Sequence, residues 1–179
     1  MEIIRKEIPK EFLEVLPEGM KFIYKQGKEF LVVEKIYCPH GHNLVDDTVR
    51  IHGESAIKIN IKIGHCEGTI FIDAFWGSHA KLYSFIPRGS TLELVDASCP
   101  TCGESLIIDS NCNQDKCSSD KSIQMILPGG QNKIIACARF GCPGHKLEIK
   151  ELHRKVTKIV SEINYFGVGL EEDDLFKGV

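Results

Sequence analysis

Six of the eight cysteines fall in three pairs along one stretch: Cys99-Pro-Thr-Cys102-Gly103, Cys112-x4-Cys117, and Cys137-x4-Cys142-Pro-Gly-His145. A seventh opens the earlier run Cys38-Pro-His-Gly-His42, where a histidine takes the place of the second thiol. Two soft ligands separated by two to four residues can turn back on one cation, and a tetrahedral ion needs two such loops. The chemistry to expect is therefore metal coordination, with Cys38/His42, Cys99/Cys102, Cys112/Cys117 and Cys137/Cys142 as four half-sites for one or two ions. Spacing alone does not pair them. The expected closure joins Cys99 and Cys102 to Cys137 and Cys142, because both pairs border strand-like segments, with His145 replacing Cys142 or standing behind it. If only one ion binds, Cys112 and Cys117 are expected to lie outside the site.

Cys99-Pro-Thr-Cys102-Gly103 resembles the knuckle of zinc ribbons, in which the glycine admits the positive φ of the turn. The resemblance is confined to the region 99–145 and implies Zn2+ in a closed structural site, with iron as the alternative for a thiolate-rich tetrahedron. It also implies a module of a larger assembly, hence a protein partner. The sequence Cys-Pro, turn, second ligand, leucine recurs at Cys38, Cys99 and Cys142 and reads as a structural rhyme.

Other chemistries have weaker footing. A three-ligand zinc enzyme would draw on Cys38, His42 and either His65 or Cys66, with Asp46, Asp47 or Glu67 as base. Nothing beyond proximity supports it: the chain has no His-Glu-x-x-His, Gly-x-Ser-x-Gly or phosphate-loop motif, so no residue is assigned as catalytic. His65 and Cys66 are adjacent in a strand-like context, and adjacent side chains there point to opposite faces. A redox or metal sensor would use Cys112 and Cys117 as a reversible dithiol.

The segments that must position these ligands read as a mainly β fold of antiparallel hairpins. Residues 21–26 and 29–37 flank a glycine turn and run into Cys38. Residues 57–63 alternate Ile-Lys-Ile-Asn-Ile-Lys-Ile, one face apolar and one wet, and residues 69–75 return after a Gly-His-Cys-Glu-Gly turn. Further strands are expected at 81–86, 91–95, 105–109, 123–127 and 133–137, the last two joined by Pro128-Gly129-Gly130-Gln131. Apolar residues from Leu147 to Ile163 recur at three- and four-residue intervals and indicate one amphipathic helix over roughly 148–164. The expected organisation is a β-rich domain at 1–98, a zinc-ribbon-like region at 99–146, a C-terminal helix at 147–165 and a mobile acidic tail at 166–179.

Composition sets the remaining bounds. The 179 residues are 42% hydrophobic, enough for a core that does not depend on metal alone. A net charge of −3 with dispersed Lys and Arg gives no reason to expect nucleic acid. No apolar run is long enough for a membrane span or signal peptide, so a cytoplasmic protein with reduced thiols is expected rather than a disulfide framework.

Overall fold

The computed structural model describes residues 8–25, 27–78, 81–84, 94–114, 116–140, 142, 144–150 and 154–162. Its architecture is mainly antiparallel β. A short helix α1 (Lys10–Glu14) precedes the hairpin of β1 (Met20–Lys25) and β2 (Lys28–Val33). A meander then follows, with β3 (Val45–Ile51), β4 (Glu54–Ile63), β5 (Cys66–Ile72) and β6 (Lys81–Ser84) in spatial order, and β7 (Asp96–Ser98) on the outer end of β4. A second meander repeats that order in β8 (Ile107–Asp109), β9 (Lys121–Ile126), β10 (Lys133–Cys137) and β11 (His145–Glu148). Helix α2 (Arg154–Ser161) closes the described chain.

The alternation in β4 does what period-two patterning requires. Ile57, Ile59, Ile61 and Ile63 are all buried, while Lys58 and Asn60 are half-buried and Lys62 is exposed. Ile59 faces Ile70 on β5, and the second meander repeats the arrangement with Met125 opposite Ile134. Each fully buried aliphatic side chain contributes about 1.5–3 kcal/mol relative to exposure.

The two meanders are alike in their backbone hydrogen bonds as well as their order. Leu44 N donates to Ile36 O and Lys58 N to Leu44 O, both at 2.8 Å; in the second half Leu106 N donates to Ala97 O and Gln124 N to Leu106 O, again at 2.8 Å. Val33 N donates to Ala74 O as Val95 N donates to Ala138 O, each at 2.8 Å. The segments that lead into the halves are exchanged: Tyr37 pairs with Ile126 of the second sheet, whereas Ser98 pairs with Asn60 of the first. Such reciprocal pairing is the mark of a two-fold relation, here between two halves of one chain.

Helix α2 is anchored to this frame by polar contacts. Trp76 Nε1 donates to Val160 O at 2.7 Å in a buried site, and Ser161 Oγ accepts from Leu147 N at 2.9 Å. Val160 O belongs to the last helical turn, whose carbonyls have no partner within the helix. Trp76→Phe keeps most of the apolar body but orphans this acceptor, and is expected to cost about 1–2 kcal/mol in urea denaturation. Leu147 lies in β11 opposite Ile134, so the helix expected from about 148 begins later, among the described residues at Arg154. A strand and a short helix in succession had merged into one apparent helical period.

Gly19 fixes the entry to the β1–β2 hairpin. Its φ is +93°, its carbonyl accepts from both Glu34 N and Lys35 N, and a Cβ there would stand 2.4 Å from Pro128 Cδ and 2.6 Å from Lys35 O. Gly19→Ala combines backbone strain with a collision against backbone, and is expected to destabilise by about 3 kcal/mol or more in thermal or urea unfolding.

Candidate metal centres

The knuckles form where strands end. In the first, Gly41 N donates to Cys38 O and Cys38 N to His42 O, both at 3.0 Å; in the second, Gly103 N donates to Cys99 O and Cys99 N to Glu104 O, both at 2.9 Å. Gly41 and Gly103 have φ of +84° and +74°, the conformation that lets each turn close. Because the two knuckles occupy matching places in the two halves, the two-fold relation brings them face to face. Cys38, His42, Cys99 and Cys102 each present a ligand atom, all within 4.8 Å of one another.

The second centre forms within one half. The connection from β8 to β9 carries Cys112 and Cys117, the end of β10 carries Cys137, and the following turn carries Cys142. Their four sulfurs also lie within 4.8 Å of one another. The expected closure of Cys99 and Cys102 by Cys137 and Cys142 is therefore incorrect. Cys99 and Cys102 close with Cys38 and His42, and Cys112 and Cys117 take the place beside Cys137 and Cys142. Bordering a strand was a poor guide to pairing, since it is the exchange between halves that decides which knuckles meet. His145 belongs to neither group; its ring meets Trp76 edge-on at 4.8 Å between centroids. His65 and Cys66, at the β4–β5 hairpin, also fall outside both groups.

Both groups fit a tetrahedral cation. With metal–sulfur bonds of about 2.3 Å, two ligands of a tetrahedron stand about 3.8 Å apart. The sulfurs of Cys38 and Cys102 are 3.9 Å apart, those of Cys112 and Cys142 3.7 Å, and those of Cys117 and Cys137 3.7 Å. Cys38 Sγ to His42 Nδ1 is 3.5 Å, shorter as the shorter metal–nitrogen bond demands. Among the described residues all eight cysteines are free of disulfides.

The surroundings favour anionic sulfur at some positions and resist it at others. Backbone amides donate to sulfur at 3.4 Å from His42 to Cys38, Thr101 to Cys99, Gln114 to Cys112 and Arg139 to Cys137. Burial opposes ionisation of Cys99, but the amides of Cys102 and Thr101 outweigh it and lower its pKa. The Ser119 amide is the chief cause that lowers Cys117. Burial pushes Cys112 up, and Cys142 further, with the neighbouring thiols adding to the rise at Cys142. Four crowded thiols cannot all ionise beside one another without a compensating positive charge. A cation held among them would supply that charge.

In the first half, the place equivalent to the second centre is filled by hydrogen bonds. Ser78 N donates to Phe75 O at 3.1 Å and Phe75 N to Asp73 Oδ1 at 3.0 Å; in the second half Cys142 N donates to Arg139 O at 3.1 Å and Arg139 N to Cys137 Sγ at 3.4 Å. Asp73 thus corresponds to Cys137 and Ser78 to Cys142. Ser78 Oγ donates to Asp73 Oδ2 at 2.6 Å, and His52 Nδ1, from the β3–β4 turn, lies 2.7 Å from the same oxygen. Nothing in the spacing of His52, Asp73 and Ser78 marks them out; the signal for Asp73 and Ser78 is their alignment with Cys137-x4-Cys142, legible only once the two meanders are matched, and His52 is found through its contact with Asp73.

Burial is the main influence on Asp73 and raises its pKa, against the hydrogen bonds from Phe75, Ser78 and His52. A folded-state value above the ordinary 3.8 means that the native state holds the proton more tightly than the unfolded chain. This carboxyl therefore contributes most stability below the unfolded value, and the contribution is lost as pH rises through the folded value. Asp73→Asn, which does not titrate, is expected to remove that decline. Urea midpoints of the two proteins compared from acidic to neutral pH measure it.

No protein-family model, no curated protein and no solved structure matches the chain.

Proposed function

We propose that this chain is a zinc protein with two closed structural sites, one built by Cys38, His42, Cys99 and Cys102 and the other by Cys112, Cys117, Cys137 and Cys142, and that it serves as an interaction module or subunit of an assembly. The observation that carries the reading is the gathering of all four half-sites into two complete four-ligand groups with tetrahedral edge lengths. Four protein ligands leave no open coordination position, which is the condition for a structural rather than a catalytic zinc. Three thiolates with one imidazole in the first site, and four thiolates in the second, are donor sets that favour zinc; iron is the alternative for the all-thiolate site.

The same grouping speaks against the competing readings. Cys112 and Cys117 are drawn into the second group rather than left as a separate dithiol, and His65 and Cys66 do not join Cys38 and His42. We assign the protein to a reducing compartment, where eight thiols persist, and its partner to the protein class. No described helix is long and apolar enough to cross a membrane.

Elemental analysis of protein purified without added metal, with thiol titration before and after chelation, tests the proposal. The expected result is two zinc ions per chain, with all the ligand thiols masked until chelator is added. One ion or none overturns the two-site assignment, and a coloured iron-loaded product overturns zinc at the all-thiolate site.

A further inference from the structure

The two halves differ at one position beside the second centre, two residues after Cys137. Phe75, after β5, is buried at 1% exposure and packs edge-on against Phe30 with ring centroids 5.6 Å apart. Its equivalent after β10 is Arg139, which pairs with Leu94 as Phe75 pairs with Val32. Where the repeat places an aromatic ring, the second half thus places a cation, and Arg139 Nε is buried with no hydrogen-bond partner. An unpaired buried donor is costly, and a charged one more so. Departures of this kind gather at functional sites.

Arg139 forms part of the wall of a cavity of about 100 Å3 between the two sheets. Its body is apolar, with Ile57, Ile61 and Ile70 from the first sheet and Ile123, Met125 and Ile134 from the second. Its remaining wall brings Arg139, Ser78, His145 and Trp76 together. Asp73 also borders it, but its carboxylate is taken up by Phe75 N, Ser78 Oγ and His52.

We infer that this cavity is a binding site for a small organic carboxylate with a short, branched apolar body, held by Arg139 at its charged end. The unpaired guanidinium N–H calls for an anionic acceptor, and carboxylate is the acceptor whose planar geometry an arginine matches. The volume limits the apolar part: a dry cavity of about 150 Å3 holds benzene, so this one admits a body of about four or five carbons. Cys137 and Cys142 of the second centre also border the cavity, so its occupancy is tested with that centre filled.

Trp76 is the only tryptophan and lies in the cavity wall, so its fluorescence reports occupancy. Metal-loaded protein as purified would be titrated with 3-methylbutanoate and, separately, with 3-methylbutan-1-ol, which has the same branched body without the charge. Saturable binding of the acid, at least about tenfold tighter than the alcohol, is expected. Arg139→Met should abolish that preference. Equal binding of acid and alcohol to the natural protein, no saturable response to the acid, or an acid preference that survives in Arg139→Met overturns the inference. Should Arg139→Met fail to fold, the comparison of acid with alcohol on the natural protein decides alone.

Discussion

Cys99→Ser is expected to loosen both halves of the fold at once, because Cys99 belongs to the one centre whose ligands come from both. Cys38 and Cys102 stand 64 positions apart, so a metal held between them ties distant segments and reduces the freedom of the unfolded chain. Cys99 is also buried, and its sulfur accepts the Thr101 amide that shapes the knuckle. Serine supplies a poorer ligand and leaves three of four donors, so the folding free energy linked to metal binding falls sharply. The expected loss is about 3–5 kcal/mol, or no folded protein at all. Hydrogen exchange distinguishes this from a local effect. Protection should fall in β4 and β9 together, since Ser98 and Tyr37, each next to a ligand of this centre, pair with those two strands. Cys117→Ser should instead lower protection chiefly from β8 to β11. Equal loss in both sheets for both variants would remove the special role given to the junction.

That contrast turns on an exchange of segments that no spacing rule foretells. The mainly β class was legible because the determinants are local: the Ile57–Ile63 alternation, the Gln26-Gly27 and Pro128-Gly129-Gly130 turns, and the β-branched runs between them. The ligand residues were legible for the same reason, since thiols two to four residues apart advertise themselves. Their pairing was not. Cys99 meets Cys38 because Tyr37 crosses to Ile126 while Ser98 crosses to Asn60, a long-range arrangement with no local signature. The strand β11 was missed because its four residues, His145–Glu148, are too few for an alternation to show. Arg139 and Asp73 were overlooked for a different reason. Each looks ordinary alone, and each becomes informative only beside its counterpart in the other half.

The correspondence between Asp73 and Cys137, and between Ser78 and Cys142, can be put to a direct test. The double variant Asp73→Cys/Ser78→Cys is expected to bind one more metal ion per chain than the natural protein. The two turns share their backbone hydrogen bonds, so thiols at 73 and 78 should approach one another as Cys137 and Cys142 do. His52, already 2.7 Å from Asp73 Oδ2, supplies a nitrogen ligand from the adjoining turn. Two sulfurs and one imidazole form a three-ligand site with an open position, weaker than a closed one but within the range that zinc accepts. The variant also removes a buried carboxylate whose pKa burial has raised, so the loss of its hydrogen bonds is offset in part by relief of desolvation. Metal-free, the double variant should be less stable than the natural fold; loaded, it should regain much of the difference. An unchanged metal count, with the fold intact by circular dichroism, would show that the halves share a turn without sharing ligand geometry. A third ion would show that the hydrogen-bonded Asp73–Ser78 pair and the Cys137–Cys142 pair are two chemical solutions to closing the same turn, one by proton sharing and the other by coordination.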